Sequence, residues 1–291
     1  MRIEPQTMEH LQEWIGKTET ISDTITAAPV RALSATLDRA DPDPAPGAFL
    51  PELWHWLYFL PHARQSEIGP DGHPKRGGFL PPVPLPRRMW AGGRLEWIKP
   101  LAVGDAIERN SKIESVTHKS GRTGDLIFVL VRHEISNASG VALIEEHDIV
   151  YRDAPSPDDK PIAPTPAPQD AKWTKRIAPD DVLLFRYSAL TFNGHRIHYD
   201  RRYVTEVEGY PGLIVHGPLI ATLLVDLVRQ SIPGATLKQF EFRAIRPTFD
   251  INPFSVSATP DLALDPSGKT IRVWAADHEG WLTMQATAIL Y

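Results

Sequence analysis

The strongest hydrophobic pattern in the chain lies between Gly217 and Gln230, where apolar residues recur at the spacing of an α-helix. An apolar stripe of this kind packs against a core, so the pattern predicts one long amphipathic helix. A second, shorter helix is predicted at Ala28–Arg39. The stripe of the longer helix consists of Ile220, Leu223, Leu224, Leu227 and Val228.

The other apolar runs are short, rich in Val, Ile, Leu and Phe, and separated by turn residues, which is typical of antiparallel strands. Turn clusters at Lys119–Gly124 and Asn137–Gly140 divide the runs in the first half of the chain. The predicted strands are Ala106–His118, Asp125–Ser136, Val141–Arg152, Val182–Thr191, Thr236–Ile245, Phe254–Leu262, Lys269–Ala276 and Trp281–Leu290.

A proline-rich segment at residues 154–169 interrupts both patterns. Proline ends helices and is excluded from central strands, so this segment is interpreted as an extended linker. It divides the chain into an N-terminal domain, residues 1–153, and a C-terminal domain, residues 170–291. Each half then combines helical segments with an antiparallel sheet, which predicts the α+β class.

Composition narrows the classes of function. The net charge of −5 argues against a nucleic-acid-binding protein, which would present a basic face. The chain has no cysteine, which excludes disulfides, thiolate catalysis and cysteine-ligated zinc. The N-terminus has neither a signal-peptide nor a transit-peptide pattern, and Leu213–Val228 is too short and too polar to span a bilayer. We therefore expect a cytoplasmic protein that does not insert into membranes.

Three histidines, His195, His198 and His216, lie close together in the second half of the sequence, with Asn193 and Asp200 beside the first two. Histidine titrates near neutral pH and can move protons in either direction. A polar connecting loop and a zinc site are the alternatives. The zinc-protease pattern H-E-x-x-H is absent, so the sequence favours acid–base chemistry without a metal.

A second motif, Tyr210–Gly217, opens the long helix. Gly217 at the helix start would leave a backbone N–H free at the positive end of the helix dipole, where it could stabilise an oxyanion. The alternative is that Gly217 only allows the chain to turn into the helix.

These motifs resemble the MaoC-like, R-specific hydratase family. Asn193–Asp200 stands in the register of its pattern Asp-x-Asn-Pro-x-His-x-Asp, and Val215-His216-Gly217 matches the family's helix start. Phe79–Arg94 and Thr191–Asp200 resemble the type 2 3-hydroxyacyl-thioester dehydratases, a subgroup with mesaconyl-C4-CoA and itaconyl-CoA hydratases. The resemblance implies a double hot-dog fold, in which each half wraps a curved antiparallel sheet around a long helix. It also implies a catalytic C-terminal half and a degenerate N-terminal half.

The resemblance assigns roles to individual residues. His198 becomes the acid–base group, and the Gly217 N–H polarises the thioester carbonyl. Asn193 replaces the family's aspartate and cannot act as a base, so it is left to orient the water. Asp200 either orients an imidazole or caps the helix that follows.

The same resemblance suggests the substrate, a short branched dicarboxylic enoyl-CoA. We expect mesaconyl-C4-CoA or itaconyl-CoA to be hydrated reversibly to citramalyl-CoA, with no cofactor beyond the CoA of the substrate. A fatty-acid-type 3-hydroxyacyl dehydratase, a catalytically inactive acyl-CoA-binding protein and a subunit that needs a partner are the alternatives; a homodimer is compatible with the fold. The predicted substrate-binding residues are His195, Arg196, Val215, His216, Arg87, Arg88 and Arg94. Arg87, Arg88 and Arg94 could instead form surface or interdomain salt bridges.

Overall fold

The computed structural model describes residues 2–121, 124–153 and 163–291. Its ten strands form one continuous antiparallel sheet. The strands are β1 Thr18–Thr24, β2 Arg87–Trp97, β3 Ala106–Gly121, β4 Gly124–Asn137, β5 Gly140–Arg152, β6 Trp173–Ile177, β7 Leu237–Ala244, β8 Phe254–Pro260, β9 Thr270–Ala276 and β10 Leu282–Leu290. The α-helices are α1 Pro5–Gln12, α2 Ala27–Thr36, α3 Asp181–Leu190, α4 Arg201–Glu206 and α5 Gly217–Ser231.

The sheets of the two halves join edge to edge. The strand order is β1-β3-β4-β5-β2-β7-β10-β9-β8-β6, so the seam is the pairing of β2 with β7. Two glycines of β2 lie in this seam. A β-carbon on Gly92 would lie 2.5 Å from the Phe242 carbonyl oxygen, and one on Gly93 would lie 2.9 Å from the Glu146 carbonyl oxygen. Glycine at both positions therefore lets the strands approach closely.

Helix α5 is the buried centre of the C-terminal half, and its apolar stripe lies in the main hydrophobic core as predicted. Two polar residues of α5 connect it to the N-terminal half. Asp226 forms a buried ion pair with Arg39, and Arg229 lies 3.7 Å from Glu52. These contacts hold the two halves around a shared core.

The structure corrects one predicted element. Val182–Thr191 was predicted to be a strand, but this run forms helix α3. Asp180 explains the difference, because its side chain accepts a hydrogen bond from the Leu183 N–H at 2.7 Å and caps the helix. The capping signal outweighed the apolar composition of the run.

The remaining strand predictions are confirmed as β3, β4, β5, β7, β8, β9 and β10, and the two predicted helices as α2 and α5. The N-terminal helix is shorter than the resemblance implied, since α2 has only ten residues. Most of the predicted linker lies outside the described residues, so the proposed domain boundary stays a prediction. In the described ranges, no helix is long and apolar enough to cross a membrane.

Candidate active site

The three histidines singled out by the sequence lie together at the start of α5. The rings of His198 and His216 are stacked, with centroids 3.8 Å apart and planes inclined by 18°. The ring of His195 meets that of His198 edge-on at 5.5 Å. A short 3₁₀ turn at Arg196–His198 and the position of His216 as the N-cap of α5 bring the two sequence motifs together.

His198 is buried and has a defined tautomer. Its Nδ1 donates a hydrogen bond to the Ile214 carbonyl oxygen at 2.7 Å, so in the neutral ring Nε2 carries the lone pair. Burial lowers the pKa of His198 to about 4; the hydrogen bond to Ile214 opposes this shift and the charge of His73 adds to it. Near pH 7 His198 is therefore a neutral imidazole that can accept a proton, as a general base must be.

His216 supports this arrangement from below. It is only 1% exposed, and its Nε2 forms a hydrogen bond with Ser188 Oγ at 2.8 Å. Burial, reinforced by the charges of His198 and His195, holds the pKa of His216 well below its usual value. Its Nδ1 is buried and has no hydrogen-bond partner in the part of the chain that the structure describes. His216 is thus a neutral ring with one polar atom left over.

Gly217 is the first residue of α5, where a backbone N–H has no acceptor within the helix. A β-carbon at Gly217 would meet only the Met284 methyl group, at 3.9 Å, so space alone does not demand glycine here. Val215, predicted to bind substrate, is instead packed in the hydrophobic core, and its N–H donates to the Thr248 carbonyl oxygen at 2.9 Å. Val215 therefore fixes the chain that leads into Gly217.

The polar residues of the catalytic motif mostly hold the loop itself. Oδ1 of Asn193 accepts a hydrogen bond from the His195 backbone N–H at 3.0 Å. Asp200 caps α4 by accepting from the Tyr203 N–H at 3.0 Å, which confirms the capping interpretation. Arg196 donates to Asp200 at 2.7 Å and to the Pro70 carbonyl oxygen at 3.0 Å. Its guanidinium is therefore engaged within the protein, and the binding of substrate by Arg196 stays a prediction.

The three arginines of β2 separate into two groups. Arg87 pairs with Glu208 at 3.2 Å, and Arg94 pairs with Glu146 and Asp148 at 2.7 and 2.8 Å. These two arginines form the salt bridges of the alternative interpretation, interdomain for Arg87.

Arg88 is placed differently from its two neighbours. It is half-buried, interacts with the Tyr151 side chain, and lies close enough to His73 and His195 for its charge to lower the pKa of both. Among the arginines of β2, Arg88 is therefore the one whose charge lies near the histidines.

A hairpin of the N-terminal half lies beside the loop that carries His195 and His198, the catalytic loop. Ile68 and Pro74 form an isolated bridge, and the turn between them carries Asp71 and His73. The rings of His73 and His195 lie 4.0 Å apart. Burial lowers the pKa of His195 to about 2, with His73 and His198 adding to the shift.

Sequence reasoning missed Asp71 and His73, because they are more than a hundred residues from the motif and match no pattern of their own. Their only signal was their position just before the family-like segment Phe79–Arg94. Ligand-type atoms of Asp71, His73 and His195 lie within 4.8 Å of one another, so these three residues could hold a metal ion. The motif itself offered His195, His198 and Asp200 as metal ligands instead, but Asp200 accepts hydrogen bonds from Arg196 and Tyr203.

Comparison with known proteins agrees with this geometry. The family model described as hydroxyacyl-thioester dehydratase type 2 matches residues 53–250. The chain is 45% identical to mesaconyl-C(4)-CoA hydratase of Chloroflexus aurantiacus, over 95% of this chain and 96% of that protein. It is 28% identical to the mitochondrial hydroxyacyl-thioester dehydratase type 2 of Schizosaccharomyces pombe, over 84% of this chain and 92% of that protein.

Solved structures show the same fold. A MaoC-like dehydratase aligns with a TM-score of 0.71 at 16% identity, covering 97% of this chain and 99% of its own. A Mycobacterium tuberculosis protein described as having a double hot-dog fold aligns with a TM-score of 0.59 at 13% identity, covering 95% and 96%. The predicted α+β double hot-dog fold is confirmed. By its sequence and its fold, the chain belongs to the type 2 hydroxyacyl-thioester dehydratase family of hydratases and dehydratases.

Proposed function

We propose that this enzyme adds water reversibly to the double bond of a short dicarboxylic enoyl-CoA, mesaconyl-C4-CoA or itaconyl-CoA, giving citramalyl-CoA. The observation that carries the proposal is the state of His198: a buried, neutral imidazole whose Nδ1 is fixed by Ile214 and whose Nε2 is the basic atom. It stands in the position where the family's motif has its histidine. The 45% identical relative from Chloroflexus, a mesaconyl-C(4)-CoA hydratase, supports this choice of substrate.

The start of α5 provides the electrophilic side of the reaction. The thioester carbonyl would accept a hydrogen bond from the Gly217 N–H. The buried Nδ1 of His216 is a second candidate donor to the same oxygen. In mesaconyl-C4-CoA, whose double bond is conjugated with the thioester, withdrawing electrons through the carbonyl makes the β-carbon electrophilic and stabilises the enolate that forms when water adds. His198 takes a proton from the water as its oxygen bonds to the β-carbon. The protonated ring then returns a proton to the α-carbon, and dehydration follows the reverse path.

Arg88 supports a substrate with a terminal carboxylate. Its neighbours Arg87 and Arg94 are paired with acidic side chains, whereas Arg88 lies against Tyr151 and acts electrostatically on His73 and His195. A guanidinium binds a carboxylate in a bidentate manner, which suits it to hold the distal end of a dicarboxylic acyl chain.

A hydratase assay on the purified chain tests the proposal. Mesaconyl-C4-CoA and itaconyl-CoA are compared with crotonyl-CoA and 2-decenoyl-CoA, which lack the terminal carboxylate. We expect kcat/KM to be at least tenfold higher for the dicarboxylic substrates. A preference for the monocarboxylic substrates would favour the fatty-acid-type dehydratase, and binding without turnover on any of them would favour an inactive acyl-CoA-binding protein.

We propose further that the enzyme needs no cofactor beyond the CoA of the substrate, so its activity should survive treatment with a chelator. We propose a cytoplasmic enzyme that forms a homodimer, which size-exclusion chromatography with light scattering would test. Full activity of a monomer would leave the single chain as the functional unit.

A further inference from the structure

The hydration reaction needs two groups to hold the attacking water, and Asn193 is poorly placed to be one of them. Its Oδ1 already accepts the His195 backbone N–H, and an amide cannot serve as a base. We propose that His73, oriented by Asp71 of the N-terminal half, is the second catalytic histidine and accepts a hydrogen bond from the attacking water beside His198. This inference rests on the proposed hydratase function, and it makes the N-terminal half a contributor to the chemistry.

The contacts of His73 define which of its nitrogens is left to accept a hydrogen bond. Its Nδ1 donates to Asp71 Oδ2 at 3.0 Å, and its backbone N–H donates to Asp71 Oδ1 at 3.0 Å. The carboxylate therefore fixes both the ring orientation and the tautomer, and Nε2 carries the lone pair. This arrangement is that of a base oriented by a carboxylate, as in other Asp–His pairs of enzymes.

The hairpin that carries His73 is built onto the catalytic loop. Gly72 has φ +89°, and a β-carbon there would lie 1.8 Å from the Gly194 carbonyl oxygen. From the other side, a β-carbon on Gly194 would lie 2.9 Å from the Gly72 carbonyl oxygen. The backbone N–H of Arg196 donates to the Asp71 carbonyl oxygen at 2.9 Å. Two glycines in contact and a backbone hydrogen bond therefore fix the distance between the hairpin and the catalytic loop.

Burial and the neighbouring arginines favour the neutral form of His73. Burial lowers the pKa of His73, the hydrogen bond and charge of Asp71 oppose this effect, and the positive charges of Arg88 and Arg76 add to it. His195 and His198 also lie near His73, since a positive charge on His73 lowers the pKa of each of them. Burial raises the pKa of Asp71, but the hydrogen bonds that Asp71 accepts from His73 lower this pKa by more. Asp71 is therefore ionised at neutral pH.

The reaction balances with these groups. One O–H bond of the water breaks, its proton goes to Nε2 of His198, and the oxygen bonds to the β-carbon. The electron pair of the double bond moves into the thioester to give the enolate, which takes the proton back from His198 at the α-carbon. The second O–H of the water, held by Nε2 of His73, remains on the product as its hydroxyl group.

A metal ion at Asp71, His73 and His195 is the competing interpretation of the same residues. Both oxygens of Asp71 already accept hydrogen bonds from His73, which favours the oriented base. The two interpretations differ in whether the active enzyme contains stoichiometric metal.

The chain offers a matched control for a variant of His73. His118 also lies beside an aspartate, with 3.1 Å between its Nε2 and Asp125 Oδ1 and a side chain 27% exposed, against 3.0 Å and 23% for Nδ1 of His73 and Asp71. The control pair is separated from β2 by three strand pairings, since His118 pairs with Ile127, Ile127 with Tyr151, and Tyr151 with Arg88. At the usual spacing of strands this separation is about 14 Å.

The experiment measures kcat and KM on mesaconyl-C4-CoA for wild type, His73→Ala, His73→Gln, Asp71→Asn and His118→Ala, with thermal unfolding as a check of folding. We expect His73→Ala to lower kcat about 100-fold, because the attacking water loses one of the two acceptors that position it, with KM changed less than threefold. His73→Gln should recover about tenfold of this loss, because its amide oxygen can still accept a hydrogen bond from water. His118→Ala should keep the kcat of wild type.

Asp71 is a positioning residue in this scheme, and a pH profile tests that role. The carboxylate raises the pKa of His73, so Asp71→Asn should move the acidic limb of kcat/KM to lower pH as well as lower kcat. A loss of activity with an unmoved limb would reduce Asp71 to a structural residue.

Three outcomes would overturn the role of His73 while leaving the hydratase function intact: wild-type kcat in His73→Ala, an equal loss in His73→Gln and His73→Ala with both folded, or one tightly bound metal per active chain. A wild-type chain that hydrates none of the enoyl-CoAs would instead refute the proposed function itself.

Discussion

The two halves of the molecule each contain a buried cluster of histidines, and the two clusters differ in their hydrogen-bond partners. In the N-terminal half, Glu145 accepts hydrogen bonds from His55 at 2.9 Å, Trp56 at 2.8 Å and His147 at 2.7 Å. His147 is in turn 3.3 Å from His133. In the active-site cluster, His198 and His216 are bound to a backbone carbonyl and a serine, and no described carboxylate hydrogen-bonds to either of them.

This difference determines what each cluster can do. Burial raises the pKa of Glu145, but the charges and hydrogen bonds of His147 and His55 outweigh it and hold that pKa well below its usual value. The N-terminal cluster is therefore an internally neutralised network whose polar atoms are used by one another. Without a carboxylate, burial lowers the pKa of His198 and leaves it a neutral base. The N-terminal cluster therefore uses its polar atoms internally, whereas His198 keeps Nε2 as a basic atom.

Replacing the reactive histidine should have the largest effect. We expect His198→Ala to lower kcat by about 10²–10⁴-fold, or about 3–5 kcal/mol of barrier, because the proton acceptor for water is lost. Steady-state hydration kinetics would measure the loss, with circular dichroism to confirm folding. The matched change His133→Ala in the N-terminal cluster should leave kcat per folded molecule within about threefold of wild type. Equal losses in both variants would abolish the distinction between the clusters.

Removing the carboxylate of Glu145 in the N-terminal cluster should lower the stability of the fold and leave catalysis unchanged. Glu145→Gln deprives two histidines and Trp56 of a shared anionic acceptor in a site that is 2% exposed. We expect a loss of about 3 kcal/mol in the free energy of unfolding, at the lower end of the cost of breaking a buried ion pair. Urea denaturation would measure it. The comparison would fail if Glu145→Gln were as stable as wild type and yet inactive.

The arginines of β2 allow a smaller, sharper test of the substrate side. Arg88→Ala should raise KM for mesaconyl-C4-CoA about tenfold, or about 1.4 kcal/mol, while changing KM for crotonyl-CoA little. Arg94→Ala is the control on the same strand, since Arg94 is paired with Glu146 and Asp148. If both variants raise KM equally for both substrates, the arginines act on CoA or on the fold and not on the distal carboxylate.

The smallest expected effect is in the pH dependence of stability. The pKa of His198 is about 4 in the folded protein and near 6.5 when unfolded, so between these values the unfolded chain binds more protons. The contribution of His198 is therefore present above pH 6.5 and is lost as pH falls towards 4. We expect a loss of about 1 kcal/mol between pH 6.5 and 5.5, which urea titrations would detect.

A variant isolates the contribution of His198. His198→Gln should reduce the decline in stability between pH 6.5 and 5.5 by about 1 kcal/mol and leave the part that comes from the other buried histidines with lowered pKa values, His133, His195 and His216. Glu145→Gln should leave that decline in place, because a depressed carboxyl pKa acts only below the pKa of the unfolded chain, near 4.5. An unchanged slope in His198→Gln would contradict the low pKa of His198.

How much of this could be predicted from the sequence depends on how local the signal was. Strands such as β4 were predictable, because their alternation of buried and exposed residues is written in consecutive positions. Helix α3 was not, since its apolar run suits a strand and only the Asp180 cap indicates a helix. His198 and Gly217 stood in recognisable motifs, so the motifs alone were enough to make them candidates for the site.

Partnerships between distant residues were beyond local patterns. The contact of Gly72 with Gly194 joins two loops more than a hundred residues apart, and no periodicity encodes it. The pairing of Arg94 with Glu146 and Asp148 likewise depends on the registration of β2 against β5. Such contacts decide which polar side chains are free to meet a substrate, and only the fold reveals them.

The seam between the two sheets has a consequence for synthesis of the chain. Gly92 of β2 pairs with Arg243 of β7, so this edge has no partner until a further 151 residues have been made. At ordinary translation rates, that takes roughly 8–30 s. During this interval the nascent N-terminal half presents an open strand edge, the feature that most readily captures another chain. The charged side chains of Arg94 and Glu96 on β2 should discourage such pairing until the second half arrives to close the sheet.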